Sequence, residues 1–475
     1  MHRIIRKLKK LTQSHKDAIK NMRLHKPLRL RAFASNTKPS GQRRRNSRRL
    51  FGLLLLPIAI GMPLNSTSQE NTPPKFGITF SGFANAQIFY DTRQMAQARE
   101  GMVSLFPLPP LYDANGEDIN AKASLNQLAM TSRLRGDITG PDVWGAQTSA
   151  AIEGDFTGQS NFDNNGFRLR EAWAKMQWKN TSVLVGYYWH PLYAPEVRPF
   201  TIGLNTGAPF HAFSRHNQVR IEQQIKNFRV VAFAGMQRDY ASDGPHGRSP
   251  VYQRNAAFPN LDLQLHYSFS EHIVGAGLDY KQIRPELSLT VNESTYKLNQ
   301  KLGSLAATFF GKFKFPFLEV KFQSIWGQNL TEHIMLGGYA VQSIDPLEHE
   351  ISYTNSEQIS FWTDLITTGK TLKVGLFAGY AENLGLQQSA GTLFTAPAAT
   401  SLISTASPRD CNWHLKNMLF AVEFEYTAAA YGTPDDKGMV QNAEEVGNLR
   451  VLLGVFIFLM AIAQSRFYCF RIRWV

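Results

Sequence analysis

From Ser124 to Tyr426 the chain repeats one unit: a run of about ten residues alternating apolar and polar, then a break that is short and long in turn. Successive side chains of a β-strand point to opposite faces, so each run makes a ribbon with one greasy and one wet side. In Leu261 to Phe269, residues Leu261, Leu263, Leu265, Tyr267 and Phe269 share one side, and Asp262, Gln264, His266 and Ser268 the other. The next run sets Val274, Ala276, Leu278 and Tyr280 against Asp279 and Lys281, with Ser270-Glu271-His272 as the turn. Leu372, Val374, Leu376, Ala378 and Tyr380 line up likewise, as do Met418, Phe420, Val422, Phe424 and Tyr426 against Glu423 and Glu425. Aromatic residues at outward strand ends (Tyr267, Phe269, Tyr280, Tyr380, Tyr426) suit the girdles that sit at the two surfaces of a bilayer.

The breaks carry the second half of the reading. Tight ones fall at 139–142, 179–180, 226–227, 270–272, 314–316, 367–370 and 416–417, most of them with the Gly, Asn, Asp and Pro content of turns. Long ones fall near 91–122, 158–165, 191–214, 239–257, 285–301, 328–352, 382–410 and 431–447. Seven turns and eight loops enclose sixteen strands. The sequence therefore predicts an all-β fold, a transmembrane up-and-down antiparallel barrel with long extracellular loops and short periplasmic turns, both chain ends lying on the turn side. A β-sandwich would also alternate, but it has no reason to sort its connections by length in rotation.

Charge could suggest another class. The formal net charge is +14, as in a nucleic-acid binder. Residues 1–50, however, hold 17 basic residues and one acid, Asp17, which leaves 34 basic and 36 acidic residues in 51–475. The body is close to neutral and nucleic acid is not expected as a partner. The longest apolar runs, 51–61 and 451–463, are shorter than the ~20 residues a spanning helix needs. Residues 1–70 read as a basic segment and export signal: Arg43-Arg44-Arg45 and Arg48-Arg49, then Leu50 to Gly61, then small polar residues Asn65 to Ser68. Met22 is a second candidate start, and a twin-arginine signal or a disordered basic tail are the alternatives. Cys411 and Cys469 are too few for a disulfide framework.

The chain shows no metal-spaced histidine pair, phosphate-cradling glycine loop or nucleophile elbow, so no cofactor or catalytic group is assigned. His211 and His216, with Arg215 between them, are the nearest approach to a cluster and read as a loop-to-strand junction. The glycines Gly275, Gly277, Gly375 and Gly379 read as sites of curvature and close packing. What remains is the wet face. Its parity assigns Arg133, Arg135 and Asp137, Glu153 and Asp155, Arg220 and Glu222, Asp279 and Lys281, Lys321, Lys373, Glu423 and Glu425 to the lining of a water-filled interior. Sixteen strands leave room for a channel where eight would not. The expected function is passive diffusion of small hydrophilic solutes or ions, without enzymatic activity. An outer-membrane barrel enzyme and a structural or adhesive surface barrel are the alternatives.

Two segments carry a family likeness: Phe167-Arg168-Leu169-Arg170-Glu171-Ala172-Trp173 and Val185-Gly186-Tyr187-Tyr188-Trp189-His190-Pro191. With Ser81-Gly82-Phe83, Phe89-Tyr90-Asp91, Glu425 to Gly432 and Val446 to Arg450, they resemble DcaP-like and phosphate-selective-type porins, especially the porin-like proteins of Bacteroidetes. The likeness covers roughly 76–458, within a barrel domain taken as 71–458. It implies a homotrimeric channel in the outer membrane of a Gram-negative bacterium, exported through the periplasm, surrounded by lipid and placed by the barrel-insertion machinery. Two places depart from such proteins. The chain runs past its natural aromatic finish, Phe456-Ile457-Phe458, into an extension 459–475, and 395–416 loses clean alternation. Finally, 191–214 contains Pro191, Pro195, Pro199 and Pro209 among Tyr193, Phe200 and Phe210, which suits a stiff segment. It is expected to bend inward and narrow the channel opposite Arg133, Arg135 and Arg220; the alternative is that it caps the outside or contacts a neighbouring subunit.

Overall fold

The computed structural model describes residues 76–369, 372–390, 399–415 (backbone only) and 417–459. The expected export segment 1–70, and all of 459–475 except Leu459, lie outside them. The strands are β1 (Gly77–Asp91), β2 (Met95–Ala98), β3 (Val103–Pro107), β4 (Ser124–Leu128), β5 (Arg133–Thr139), β6 (Gln147–Asp155), β7 (Arg168–Gln177), β8 (Thr181–Trp189), β9 (Arg215–Ile225), β10 (Phe228–Met236) and β11 (Asn260–Phe269). They continue as β12 (His272–Ile283), β13 (Ser288–Val291), β14 (Ser294–Lys297), β15 (Leu302–Lys314), β16 (Leu318–Gln328), β17 (Gly338–Asp345), β18 (Glu350–Thr367), β19 (Leu372–Leu386), β20 (Ala399–Leu415), β21 (Met418–Pro434) and β22 (Val440–Phe458).

Eighteen of these form one antiparallel sheet, and β2–β3 and β13–β14 are separate hairpins in the long loops. Two wall positions are each split between two strands. β4 and β5 together lie beside β1, and β16 and β17 together beside β18. Eighteen strands thus fill sixteen positions. The last returns to the first over nine residue pairs, Phe83↔Phe458 through Asp91↔Arg450. That seam closes the ring and satisfies backbone groups that an open sheet would leave at its edge. The tight turns expected at 179–180, 226–227, 270–272 and 314–316 fall where the sequence places them, the one expected at 139–142 opens into the connection 140–146, and those at 367–370 and 416–417 include residues outside the described ones. Long connections alternate with them as far as β19.

From β5 onward the faces follow the expected parity, while on β4 Gln127 turns outward and Leu128 inward; the faces are inverted relative to a water-soluble protein. Leu263 is 59% exposed on the outside of β11, while its inward neighbour Gln264 is 2% exposed. Outward Leu261, Leu265, Leu278, Phe309, Phe361, Phe420 and Phe424 continue the apolar band around the wall. Bare apolar surface on this scale is stable only against lipid or another apolar surface.

The structure departs from the sequence reading at the loop ends of the late strands. β19 runs on to Leu386, β21 to Pro434, and β22 begins at Val440, so the expected loop 431–447 shrinks to a connection of 435–439. At about 3.3 Å per residue the nineteen residues of β22 extend roughly 60 Å, about twice the hydrocarbon thickness of a bilayer. Its outer end, Gln441-Asn442-Ala443-Glu444-Glu445, is exposed on both faces and therefore shows no apolar alternation. β20, the segment of weak periodicity, is a strand, but its pairing slips register on both sides.

An unheated sample should migrate differently from a boiled one on a denaturing gel, because a closed ring resists detergent until heated; equal mobility would contradict closure. Leu263→Arg, inside β11 and facing outward, should cost roughly 2–4 kcal/mol when unfolding is measured in lipid. Val374→Arg lies three residues into β19, beside a turn, and should cost about 0–1 kcal/mol.

Candidate functional site

The connection 190–214 enters the barrel. Its start is fixed by His190, whose Nδ1 accepts the Leu192 N–H (3.2 Å) at the head of a single 3-10 turn, Pro191–Tyr193. From there the segment meets inward side chains around much of the wall. Gln323 on β16 donates to the Leu192 carbonyl (2.9 Å) and its Oε1 meets His211 Nδ1 (2.8 Å). Glu196 pairs with Arg229 on β10. The Phe200 N–H donates to Asp364 Oδ2 on β18 (2.9 Å), and the Ile202 N–H to Glu423 Oε2 on β21 (2.8 Å). Asn205 donates to the Ser104 carbonyl on β3 (3.0 Å), tying the first long loop to this one.

Apolar contacts complete the anchorage: Val197 and Phe210 pack with Phe310, Trp362 and Phe377 from the wall. A Cβ on Gly379 would lie 2.5 Å from Phe210 Cγ, so this glycine makes room for the loop. Burial opposes ionisation of Glu196, yet the Arg229 charge holds its carboxyl at about 2. Burial pushes His211 down to about 3, so it packs as a neutral ring.

A second feature occupies β5–β7. Arg133 and Arg135, Glu153 and Asp155, Arg170 and Glu171 interleave in one ladder. Arg135 Nη1 reaches Glu171 Oε2 (2.8 Å) and Glu153 Oε2 (3.2 Å), and its Nε donates to Asp137 Oδ1 (2.9 Å). Arg170 donates to Asp155 Oδ2 (2.6 Å) and Glu153 Oε1 (3.3 Å). Arg133 pairs with Glu153 at 3.3 Å and Asp155 at 3.6 Å. A β-bulge makes this density possible. β6 and β7 pair Glu153↔Glu171 and then Gly154↔Leu169, so Arg170 is the extra residue. Strict alternation would put Arg170 and Glu171 on opposite faces; the bulge lets both meet the same β5 and β6 side chains.

The other charged residues assigned to the interior also face inward, in three kinds of setting. Glu423 and Lys373 meet the inward loop, Glu423 through Ile202 and Lys373 through the Phe200 ring, 5.9 Å from its centroid. Arg220 donates to the Trp189 carbonyl and stands 3.8 Å from Glu222; Lys321 pairs with Glu319 (3.1 Å) and Asp364 (3.5 Å); Glu425 accepts from Thr427 (3.1 Å). Asp279 and Lys281 lie beneath loops. Asp279 accepts from Asn260 (2.7 Å), and Lys281 pairs with Glu332 and the Asn329 carbonyl.

Several interior groups escape a period-two reading. Arg168 approaches Asp239 at 3.9 Å, and Arg215 stacks 3.8 Å over Trp189, whose other neighbour Tyr193 is also 3.8 Å away. At the seam, Arg450 grips Asp91 through two bonds of 2.8 and 2.7 Å and donates to the Gly101 carbonyl (2.8 Å). Among the described residues no group of three or more His, Cys, Asp or Glu side chains is arranged to hold a metal ion.

No protein-family profile and no curated sequence matches the chain. Solved structures do. The chain is similar to the outer-membrane channel DcaP of Acinetobacter baumannii, with 14% identity, a TM-score of 0.58, and coverage of 81% of this chain and 97% of that one. It is also similar to OmpT, an outer-membrane protein of Vibrio cholerae, with 9% identity, a TM-score of 0.50, and coverage of 82% and 100%. At these identities the likeness is one of fold, and the fold of residues 77–458 is the outer-membrane barrel of porins.

Proposed function

We propose that the protein is an outer-membrane porin of a Gram-negative bacterium, a water-filled channel through which small hydrophilic solutes cross by diffusion. The observation that carries this reading is the inward segment 190–214. A barrel that served only as an anchor or adhesive surface needs no stiff strap inside it, whereas a channel needs a constriction to select by size. The charged inward face supports the same reading, since side chains of both signs keep water in a lumen. Within the porin fold, the DcaP-like assignment rests on the 167–173 and 185–191 motifs and on the similarity to DcaP. Assembly as a homotrimer is the arrangement expected for that group, with lipid and the insertion machinery as the other partners.

The pore-lining set proposed here is Arg133, Arg135, Asp137, Glu153 and Asp155, joined by Arg170 and Glu171, with Arg220, Glu222, Lys321, Lys373, Glu423 and Glu425 around the rest of the wall. Asp279 and Lys281 belong to the same inward face but act there by holding loops. On β5–β7 three arginines are interleaved with three carboxylates at 2.6–3.6 Å, so their fields largely cancel beyond a few ångström. The pore is accordingly weakly selective, and the arginines balance acids as much as they attract anions.

Deleting residues 196–208 should raise single-channel conductance in planar bilayers, since it removes the crossing segment while leaving both of its feet. An unchanged conductance would place the constriction elsewhere. Arg133→Ala combined with Arg135→Ala strips the counter-charges from Glu153 and Glu171, so the reversal potential in a salt gradient should shift toward cations. A shift toward anions, or none, would contradict the proposed lining.

A further inference from the structure

The two feet of the inward segment meet at a cluster of three buried histidines. The His190 N–H donates to the Ser214 carbonyl (3.0 Å), joining the first foot to the last. The ring of His190 lies 4.8 Å from that of His216 and 4.7 Å from that of His333, and the latter two are 6.1 Å apart. His333 comes from a different loop, between β16 and β17, and clasps the second foot. Its Nδ1 meets Ser214 Oγ (2.7 Å), and its carbonyl accepts the Phe213 N–H (2.9 Å). All three side chains are fully buried. Neither ring nitrogen of His216 has a hydrogen-bond partner among the described residues, nor does Nε2 of His333, although Glu332 Oε1 stands 3.6 Å from it. An imidazole left without partners in a buried site costs stability, and a fold that needed only a wedge would be better served by an aromatic or aliphatic side chain.

Resting on the channel reading above, we propose that this cluster is a proton-sensitive latch, which docks the feet of the constriction while the rings are neutral and releases them when the rings are charged. The groups around it decide the direction. β9 presents Arg220 besides His216, β10 presents Phe233, β11 presents Asp262, β12 presents Asp279 and Lys281, and the 329–337 loop presents Glu332 beside His333. His190 Nε2 meets Asn260 Oδ1 (2.7 Å) with the Asp279 carboxylate 3.3 Å away, so a negative charge already faces His190, and Glu332 is taken up by Lys281. The uncompensated charge therefore falls on His216 and His333. Burial, with His190, His216 and Lys281 nearby, pushes His333 well below the ordinary histidine range while docked. Released into water, a histidine takes its proton near pH 6.5.

A base whose affinity for protons is lower in the docked state stabilises docking fully above that value. The advantage falls roughly tenfold for each pH unit below it, for each histidine that must charge. The acid form is thus the loosened one. Charged rings repel one another and Lys281, the Ser214 clasp opens, and the strap leaves the lumen by its feet.

The test is single-channel recording of the full-length protein between pH 8 and 4.5. A steady level is expected at pH 7.5, with reversible transitions to higher conductance appearing below about pH 6. His216→Phe, which packs against Phe233 and cannot charge, and His333→Gln, which can keep the Ser214 bond, should each reduce the acid-induced transition rate at pH 5 at least tenfold. A wild-type record that is the same at pH 7.5 and 4.5 overturns the latch but leaves the channel. An acid response unaltered in both variants assigns it to other groups and also overturns the latch. A heat-modifiable barrel that conducts at neither pH overturns the channel reading and the latch together.

Discussion

Everything in this structure depends on a rule about backbone hydrogen bonds. In a hydrocarbon phase an unpaired peptide group has nothing to bond, so strands can cross only if the last finds the first. Here β22 does so through nine residue pairs, and the seam is reinforced by the Asp91–Arg450 double hydrogen bond at its far end. Because Arg450 also holds the Gly101 carbonyl, the group that secures closure also ties down the first long loop. Closure with sixteen wall positions fixes a ring too wide for side chains alone to fill. The remaining space is what admits the 190–214 segment.

How much of this is legible in the residues depends on which physical period governs them. Where a strand faces lipid on one side and water on the other, as in β11 and β12, the two environments print a period of two. Parity then places Asp262 and Asp279 inside without further information. Where both faces are wet, as at the outer end of β22, the same backbone leaves no imprint, and Gln441 to Glu445 read as loop. The bulge at Arg170 fails for a third reason. One inserted residue changes the phase, and Arg168 to Glu171 contains no glycine or proline to mark the place. The prolines of 191–214 announce stiffness, but the inward course of the segment is written in distant partners. Gln323, Asp364 and Glu423 lie over a hundred residues away, and only the assembled ring brings them near.

The buried charges show a similar division of labour. A lone buried arginine or carboxylate is expensive, whereas an interleaved set of both signs satisfies its own members. The β5–β7 ladder is of the second kind, and so is the Lys281–Glu332 pair that seats the 329–337 loop. Burial holds His333, at the feet of the inward loop, well below the ordinary histidine range, so it packs there as a neutral ring.

The 190–214 segment also has a mechanical consequence. A ring of sixteen strands resists being flattened only through the bending stiffness of its wall, which is small for a single layer. A strap bonded to β10, β16, β18 and β21 spans the ring and turns it into a cross-braced hoop, in which sideways pressure from the surrounding lipid is carried as tension and compression along the strap. The cross-section of the ring is then set by the length of a peptide segment, and its shape is insulated from lateral stress in the surrounding lipid.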